Sequence, residues 1–239
     1  MRRSQISVYQ SWKHLIVTLV VVALPFLFLL WFSRFSGIAA INLFSDIGIS
    51  LTRLIIAYVL SVGIAWVLAV SFYCGKRAIV ALPLFDVLQS FPTFAIVPLA
   101  TLTFGKTNAT IIFFLFITVV WPILFSIISS IKLIKHDWEE AAEMSGLRGF
   151  DYFRYFIWPV SIPGLITGSI IGLGEGWEAL VATEIIMGVP KGLGNFFDTN
   201  ASQGEITVLG ILGLLIIIFS INKLLWLPLL EASHHRMEE

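Results

Sequence analysis

Charged side chains and cysteine are both scarce in this sequence. Only 13% of its 239 residues are charged, whereas 58% are hydrophobic, and the mean hydropathy is +0.93. This composition excludes an ordinary soluble domain. The single cysteine, Cys74, excludes an internal disulfide, and the His234-His235 pair has no acidic or cysteine partner at metal-ligand spacing.

Signatures of catalysis are missing as well. The phosphate-binding loop G-x-x-x-x-G-K-[ST] does not occur, so this chain is not expected to hydrolyse ATP by itself. No nucleophile and base stand together in a recognisable pattern. We therefore predict a protein that is not an enzyme and has no catalytic, cofactor-binding or metal site.

What the sequence has instead is a series of long uncharged runs. They cover residues 15–33, 54–75, 87–105, 109–131, 155–174 and 206–222. A helix needs about 20 apolar residues to cross the hydrocarbon core of a membrane. The runs do not alternate with period two, so a barrel is not expected. We predict an all-α integral membrane protein with six transmembrane helices in one domain, residues 1–239.

The basic residues are distributed unevenly between the predicted loops. With the N-terminus in the cytoplasm, eleven of the fifteen lysines and arginines fall inside and four outside. The inside group is Arg2, Arg3, Lys13, Lys76, Arg77, Lys132, Lys135, Arg148, Arg154, Lys223 and Arg236, and the outside group is Arg34, Arg53, Lys106 and Lys191. The positive-inside rule favours this orientation, which leaves both termini cytoplasmic.

The second predicted helix opens with a capping residue and carries a face of small side chains. Ser50 is expected to cap its first turn. Ser61, Ala65 and Ala69 recur every four residues, which allows another helix to pack closely against this face.

The third predicted helix is interrupted by three prolines at positions 83, 92 and 98. Prolines remove backbone hydrogen bonds and bend a helix, and the freed carbonyls must face protein or water. Four polar residues lie among them: Asp86, Gln89, Ser90 and Thr93. This pattern is typical of a helix that lines a polar path, although a kinked helix with satisfied polar contacts gives the same pattern.

The fifth predicted helix, near residues 162–187, carries three acidic residues at membrane depth. Acids there usually face a pathway or a partner. Glu175 and Glu178 share a face, whereas Glu184 is turned to the opposite side, and one of the three can be structural. Trp177 is either part of a gate or ordinary packing.

A charged stretch follows the fourth predicted helix. Residues 132–154 hold nine of the thirty charged residues of the chain. Asp137 and Glu140 have the spacing of a capping box, and Gly146 is suited to end the short helix that they begin. A second, amphipathic helix is expected to start near Asp151 and stop at Pro159. Such a segment, predicted at 132–158, is suited to dock a cytoplasmic partner.

The same stretch resembles the EAA signature of permease subunits of ABC importers. Glu140-Ala141-Ala142, three residues, Gly146, nine residues and Phe156-Ile157-Trp158-Pro159 follow that pattern, with Phe156 and Trp158 replacing isoleucine and leucine. The sequences LQSFPTFAIVPLATLTFG, GWEALVATEIIMG and GLGNFF are similar to the nitrate, sulfonate and taurine branch, in which Glu184 matches a glutamate. The resemblance covers a core of residues 50–228.

This resemblance implies a type I ABC importer (MetI-like) permease fold in the plasma or inner membrane of a prokaryote. It also implies two ATPase subunits, a second permease copy and an external solute-binding protein as partners, and it makes the helix at 137–146 a coupling helix. The residues implied in ATPase coupling are Asp137, Glu140, Ala141, Ala142, Gly146, Arg148 and Pro159. The expected translocation path holds Asp86, Gln89, Ser90, Thr93, Glu175, Trp177, Glu178 and Glu184.

The leading hypothesis is therefore the translocation subunit of an ATP-driven importer for a small polar solute. The alternative is an ion-coupled secondary transporter or channel that uses Glu175, Glu178 and Glu184. A membrane-embedded enzyme is a third class, for which no catalytic cluster appears. The branch handles anions, and four intramembrane acids fit an anion poorly, so the sequence does not identify the solute.

Overall fold

The computed structural model describes the backbone of residues 2–134, 136–230 and 233, and the side chains of 17–39, 41–134, 137–230 and 233. Lys135, Arg236 and the His234-His235 pair lie outside the described residues, as do the side chains of Arg2, Arg3 and Lys13. Within this part of the chain the regular structure is entirely helical.

Ten α-helices follow one another along the described chain. They are α1 (Arg2–Ser36), α2 (Ala40–Phe72), α3 (Gly75–Gln89), α4 (Thr93–Phe104), α5 (Asn108–Lys132), α6 (His136–Met144), α7 (Gly149–Tyr152), α8 (Trp158–Met187), α9 (Leu193–Thr199) and α10 (Gly204–Ile221). π-helical turns at Phe153–Ile157 and Asn222–Trp226 continue α7 into α8 and extend α10. Five helical segments are long and apolar enough to span a membrane, and α3 with α4 forms a bent pair that brings the number to six.

Helix α5 lies at the centre of the bundle between α2 and α8. Its first half packs with Leu54, Leu180 and Phe196, and its second half packs with the small face of α2. Ser61, Ala65 and Ala69 are all fully buried, which confirms the predicted close packing of that face.

The contact between α5 and α8 depends on a stripe of glycines in α8 at Gly164, Gly168 and Gly172. A Cβ atom at Gly168 would lie 2.6 Å from the Ile123 Cα, and one at Gly172 would lie 3.1 Å from the Val119 carbonyl oxygen. The two backbones therefore touch, as small residues spaced by four allow in membrane helices.

Two predicted helix boundaries are wrong. Helix α2 begins at Ala40, so Ser50 lies inside it and does not cap it. The prediction started too late because Arg53 interrupts the apolar run. The helix that starts at Gly149 does not stop at Pro159 but continues to Met187. The preceding π turn widens the helix where the proline ring would otherwise clash with the carbonyl four residues earlier.

The predicted break in the third span is present. Helices α3 and α4 meet at an angle of 76°, with Ser90, Phe91 and Pro92 between them. Pro92 ends the run of hydrogen bonds because it has no N–H, whereas Pro83 and Pro98 are accommodated within α3 and α4.

At the other edge, α1 packs against α10, where the Ser220 hydroxyl donates to the Val21 carbonyl. Large apolar side chains of both helices point outward.

Candidate functional site

The candidate coupling helix α6 is a separate short element that ends in a glycine cap. Gly146 has a φ of +77°, its N–H donates to the Glu143 carbonyl, and the Leu147 N–H donates to the Ala142 carbonyl. These two bonds form a Schellman motif, which confirms the predicted end of the helix. The start differs slightly: α6 begins at His136, so Asp137 lies in the first turn and not at the cap.

The expected coupling residues do not all face the same way. Asp137, Glu140 and Ala141 are exposed, whereas Ala142 is only 6% exposed and faces the protein interior. Close approach by a partner is therefore available at Ala141 and not at Ala142. The exposed Arg148 is in an extended conformation between α6 and α7, and Pro159 is exposed in the first turn of α8.

Helix α6 lies near the end of α2. Burial raises the pKa of the Tyr73 phenol, and the nearby Cys74, Tyr152 and Glu139 raise it further. Gly149, with a φ of +54°, makes a second left-handed turn directly before the long helix. The charged segment is thus joined to the membrane bundle by two glycine turns on one side of α7.

At the opposite end of α8, Glu184 is the centre of a buried polar network. Its carboxylate is fully enclosed and forms an ion pair with the Arg53 guanidinium. The Ser50 hydroxyl donates to both carboxylate oxygens at 2.8 and 2.9 Å, and the Gly194 N–H donates to Oε2 at 2.8 Å. The Leu193 N–H in turn donates to the Ser50 hydroxyl at 2.9 Å.

The glycines of the GLG sequence make room for this carboxylate. A Cβ atom at Gly192 would lie 2.6 Å from Glu184 Oε2, and one at Gly194 would overlap the Glu184 side chain. The Gly192 N–H also donates to Asp46 at 2.9 Å. Helix α9 is consequently tied to α2 and α8 through its own first residues.

The remaining bonds of Arg53 extend the network to α5. Its Nε donates to the Asn108 side-chain oxygen at 3.0 Å, and its NH1 donates to the Lys191 carbonyl at 3.2 Å. Sequence reasoning missed the pairing of Arg53 with Glu184. The available signal was that Arg53 is the one basic residue between positions 41 and 72, since a lone cation at membrane depth needs an acidic partner.

The other expected path residues are divided between the core and the surface. Trp177 is 5% exposed and packs in the core with Leu54 and Leu180. Glu175 and Glu178 are exposed on one side of α8. At the α3–α4 break, Asp86, Gln89 and Ser90 are exposed and Thr93 is half-buried.

A family comparison decides the class of the protein. Residues 61–227 match the family described as "Binding-protein-dependent transport system inner membrane component". The chain belongs to this transport permease family. The match confirms the resemblance and the type I ABC importer permease fold, and it places the chain among membrane transport proteins and not among enzymes.

Several curated permeases are similar in sequence. The nitrate import permease protein of Leptolyngbya laminosa is 30% identical over 183 residues, which cover 73% of this permease and 65% of the relative. The bicarbonate transport system permease protein of Synechococcus elongatus is 34% identical over 51% of this permease and 43% of the relative. The taurine transport system permease protein of Escherichia coli is 28% identical over 75% and 68%. The chain thus spans less than two thirds of the nitrate and bicarbonate relatives.

The family match contains some parts of the candidate site and not others. It includes α6, the glycine stripe of α8, Glu184 and the GLG sequence. The matched segment starts at Ser61, so Asp46, Ser50 and Arg53 of this permease lie before it. The ion pair therefore joins a residue inside the family segment to one outside it.

Proposed function

We propose that this permease is the translocation subunit of an ABC importer for a small polar solute, driven by ATPase subunits on separate chains. The observation that carries the proposal is α6. It is a nine-residue helix whose first turn is acidic, with Asp137 exposed, and it is connected by glycine turns to the bundle. A transmembrane bundle does not need such a helix for its own stability, whereas a cytoplasmic ATPase subunit needs a surface of this kind to bind.

The same geometry provides a route for mechanical coupling. From Gly149 to Met187 the chain is helical over 39 residues, or about 58 Å. This segment begins three residues after Gly146 and reaches Glu184 near its other end. A displacement of α6 by an ATPase is therefore passed along one helix to the network that holds α9.

We further propose that two copies of the chain enclose the path. Exposed carboxylates at membrane depth are tolerated where they face water or a partner, and Glu175, Glu178 and Asp86 are exposed in the single chain. A second copy facing α8 and the α3–α4 break would remove these groups from lipid. Trp177 and Glu184 are enclosed within one chain, so the proposed lining omits them.

Burial of Glu184 also bears on the ion-coupled alternative. That mechanism assigned Glu184 to a moving ion, but its carboxylate is held by Arg53, Ser50 and Gly194. We therefore favour the ATP-driven mechanism. The orientation with both termini in the cytoplasm, and an external solute-binding protein that meets the α9 end, complete the proposed arrangement.

Co-purification tests the proposal. The tagged permease, purified in detergent from its native membranes, should retain an ATPase chain, and Ala141→Arg should lose it because the exposed small residue becomes bulky. Gln203→Arg, which adds the same charge in the exposed loop before α10, should retain it. Solute uptake that continues without any ATPase chain would show the proposal to be wrong.

A further inference from the structure

An open, mostly apolar groove of about 620 Å³ runs along the junction of α2 and α3. The last turns of α2 contribute two side chains and one face of α3 contributes six. The lining residues are Leu68, Phe72, Lys76, Arg77, Val80, Ala81, Leu84 and Phe85. The rings of Phe72 and Phe85 meet edge to face at 5.6 Å, so they join the two helices at the base of the groove. Its volume is in the range of about 300–1,000 Å³ that is usual for ligand sites.

The charges of the groove lie at one end. Lys76 and Arg77 are exposed in the first turn of α3, and neither has a hydrogen-bond or ion-pair partner among the described side chains. Every other lining residue is apolar. The groove thus has a doubly positive head and an uncharged body.

The position and length of the groove match one leaflet of a membrane. Lys76 and Phe85 are nine residues apart on α3, or about 13.5 Å, which is close to half of the roughly 30 Å hydrocarbon core. Tyr73, three residues before Lys76, packs in the same cluster as Tyr152. The positive head of the groove is therefore at the end of the bundle that carries α6, where a membrane surface is expected.

We propose that this groove binds an anionic phospholipid. Lys76 and Arg77 hold the phosphate, and one acyl chain lies along Val80, Ala81 and Leu84. An apolar helix from a second copy would fill the body of the groove but leave both cations unpaired. A lipid with net negative charge satisfies both parts, as basic pockets at the cytoplasmic side of membrane helices do. This site does not depend on the identity of the transported solute.

Native mass spectrometry of the full-length chain in detergent tests the proposal, with phosphatidylglycerol and phosphatidylcholine as probes. The chain should retain phosphatidylglycerol more strongly than phosphatidylcholine. Because each basic residue near the surface contributes about 1 kcal/mol, Lys76→Gln with Arg77→Gln should weaken phosphatidylglycerol binding roughly 30-fold. Lys132→Gln with Lys223→Gln removes the same charge away from the groove and should leave binding unchanged.

A photo-crosslinking residue at Leu84 in native membranes provides an independent readout. The expected product is the monomer with the added mass of a phospholipid. A covalent dimer would show that a second copy occupies the groove, and the proposal would be wrong. Equal retention of both lipids, or a control pair that weakens binding as much as the groove pair, would also overturn it.

Discussion

Glu184 shows how one side chain organises the end of the bundle. The carboxylate accepts hydrogen bonds from Ser50, Arg53 and Gly194, so its charge is balanced although it is fully buried. Removing either charged side chain of a buried ion pair such as Arg53–Glu184 leaves the other charge buried without compensation, which typically lowers the free energy of unfolding by about 3–5 kcal/mol. The stability of this region therefore depends on both partners being present.

Substitution of Arg53 is the first prediction. Arg53→Met should lower the midpoint of thermal unfolding in detergent by roughly 6–20 °C, because about 2–4 °C accompanies each kcal/mol in a chain of this size. Adding Glu184→Gln to Arg53→Met should recover part of the loss, since the amide oxygen still accepts from Gly194. Lys223→Met, which removes an exposed cation, should change the midpoint little. Equal effects of Arg53→Met and Lys223→Met would contradict the assigned role of the ion pair.

The sequence identified Glu184 but not its partner, for a physical reason. Resemblance to a family pattern singles out individual positions, whereas Arg53 and Glu184 are 131 residues apart in the chain. Taken alone, Arg53 had the features of a loop cation, and it shortened the predicted helix. Only the folded bundle brings the two charges together and makes a long α2 stable.

At the scale of elements, local chemistry was the more reliable guide. Gly146 ends α6 as predicted because left-handed backbone geometry is a property of a few consecutive residues. The helix end predicted at Pro159 was wrong because it depended on contacts distant in the sequence. A proline ends an ordinary α-helix, but the π turn before it depends on the packing of Phe153 and Ile157 against α2 and α5, which the local sequence does not reveal.

The glycine cap of α6 is the subject of the second prediction. Gly146→Pro should reduce solute uptake by at least about tenfold while the spans still insert, because proline cannot adopt a positive φ. Gly146→Asn should keep most of the uptake, since asparagine tolerates the left-handed region. Uptake and ATP hydrolysis are measured together in vesicles. Equal uptake by the two variants would refute a role for the turn.

A third prediction concerns the glycine stripe of α8. Gly168→Val should prevent α5 and α8 from packing and should lower the yield of folded protein, because even a Cβ atom there would lie 2.6 Å from the Ile123 backbone. Gly174→Val adds the same side chain in the same helix, where an added Cβ atom would meet no described residue outside the helix backbone within 4 Å. Size-exclusion chromatography of a fluorescent fusion compares the two, and a monodisperse Gly168→Val protein would contradict the close contact.

At the scale of the whole molecule, the number of spans followed from composition, and the bent third span followed from its prolines. The orientation and the pairing of copies depend on the membrane and on partners, so they remain proposals. The predicted distribution of basic residues, eleven inside and four outside, counted Arg53 among the outside charges. Arg53 is buried in an ion pair, so it does not act as a loop charge in the positive-inside rule.

Orientation is the subject of the fourth prediction. In a Cys74→Ala background, a cysteine at Ser145 should react with an impermeant maleimide only from the cytoplasmic side, and one at Asp198 only from outside. Both positions are exposed and lie at opposite ends of the bundle. The excess of basic residues at the α6 end sets this expectation. The reverse pattern would exclude contact between α6 and a cytoplasmic ATPase.

The direct backbone contact between α5 and α8 limits where this molecule can change shape. The glycines of α8 lie directly against the α5 backbone and against the side chains of Ser126, Ser130 and Val119, so the interface has no spare room for one helix to shift relative to the other. They are expected to move together as a single rigid body, along with the part of α2 that packs on α5. Within the described bundle, the α3–α4 break is then the expected place for a hinge. In a transporter built from two such chains, the opening and closing of the path would occur between the chains.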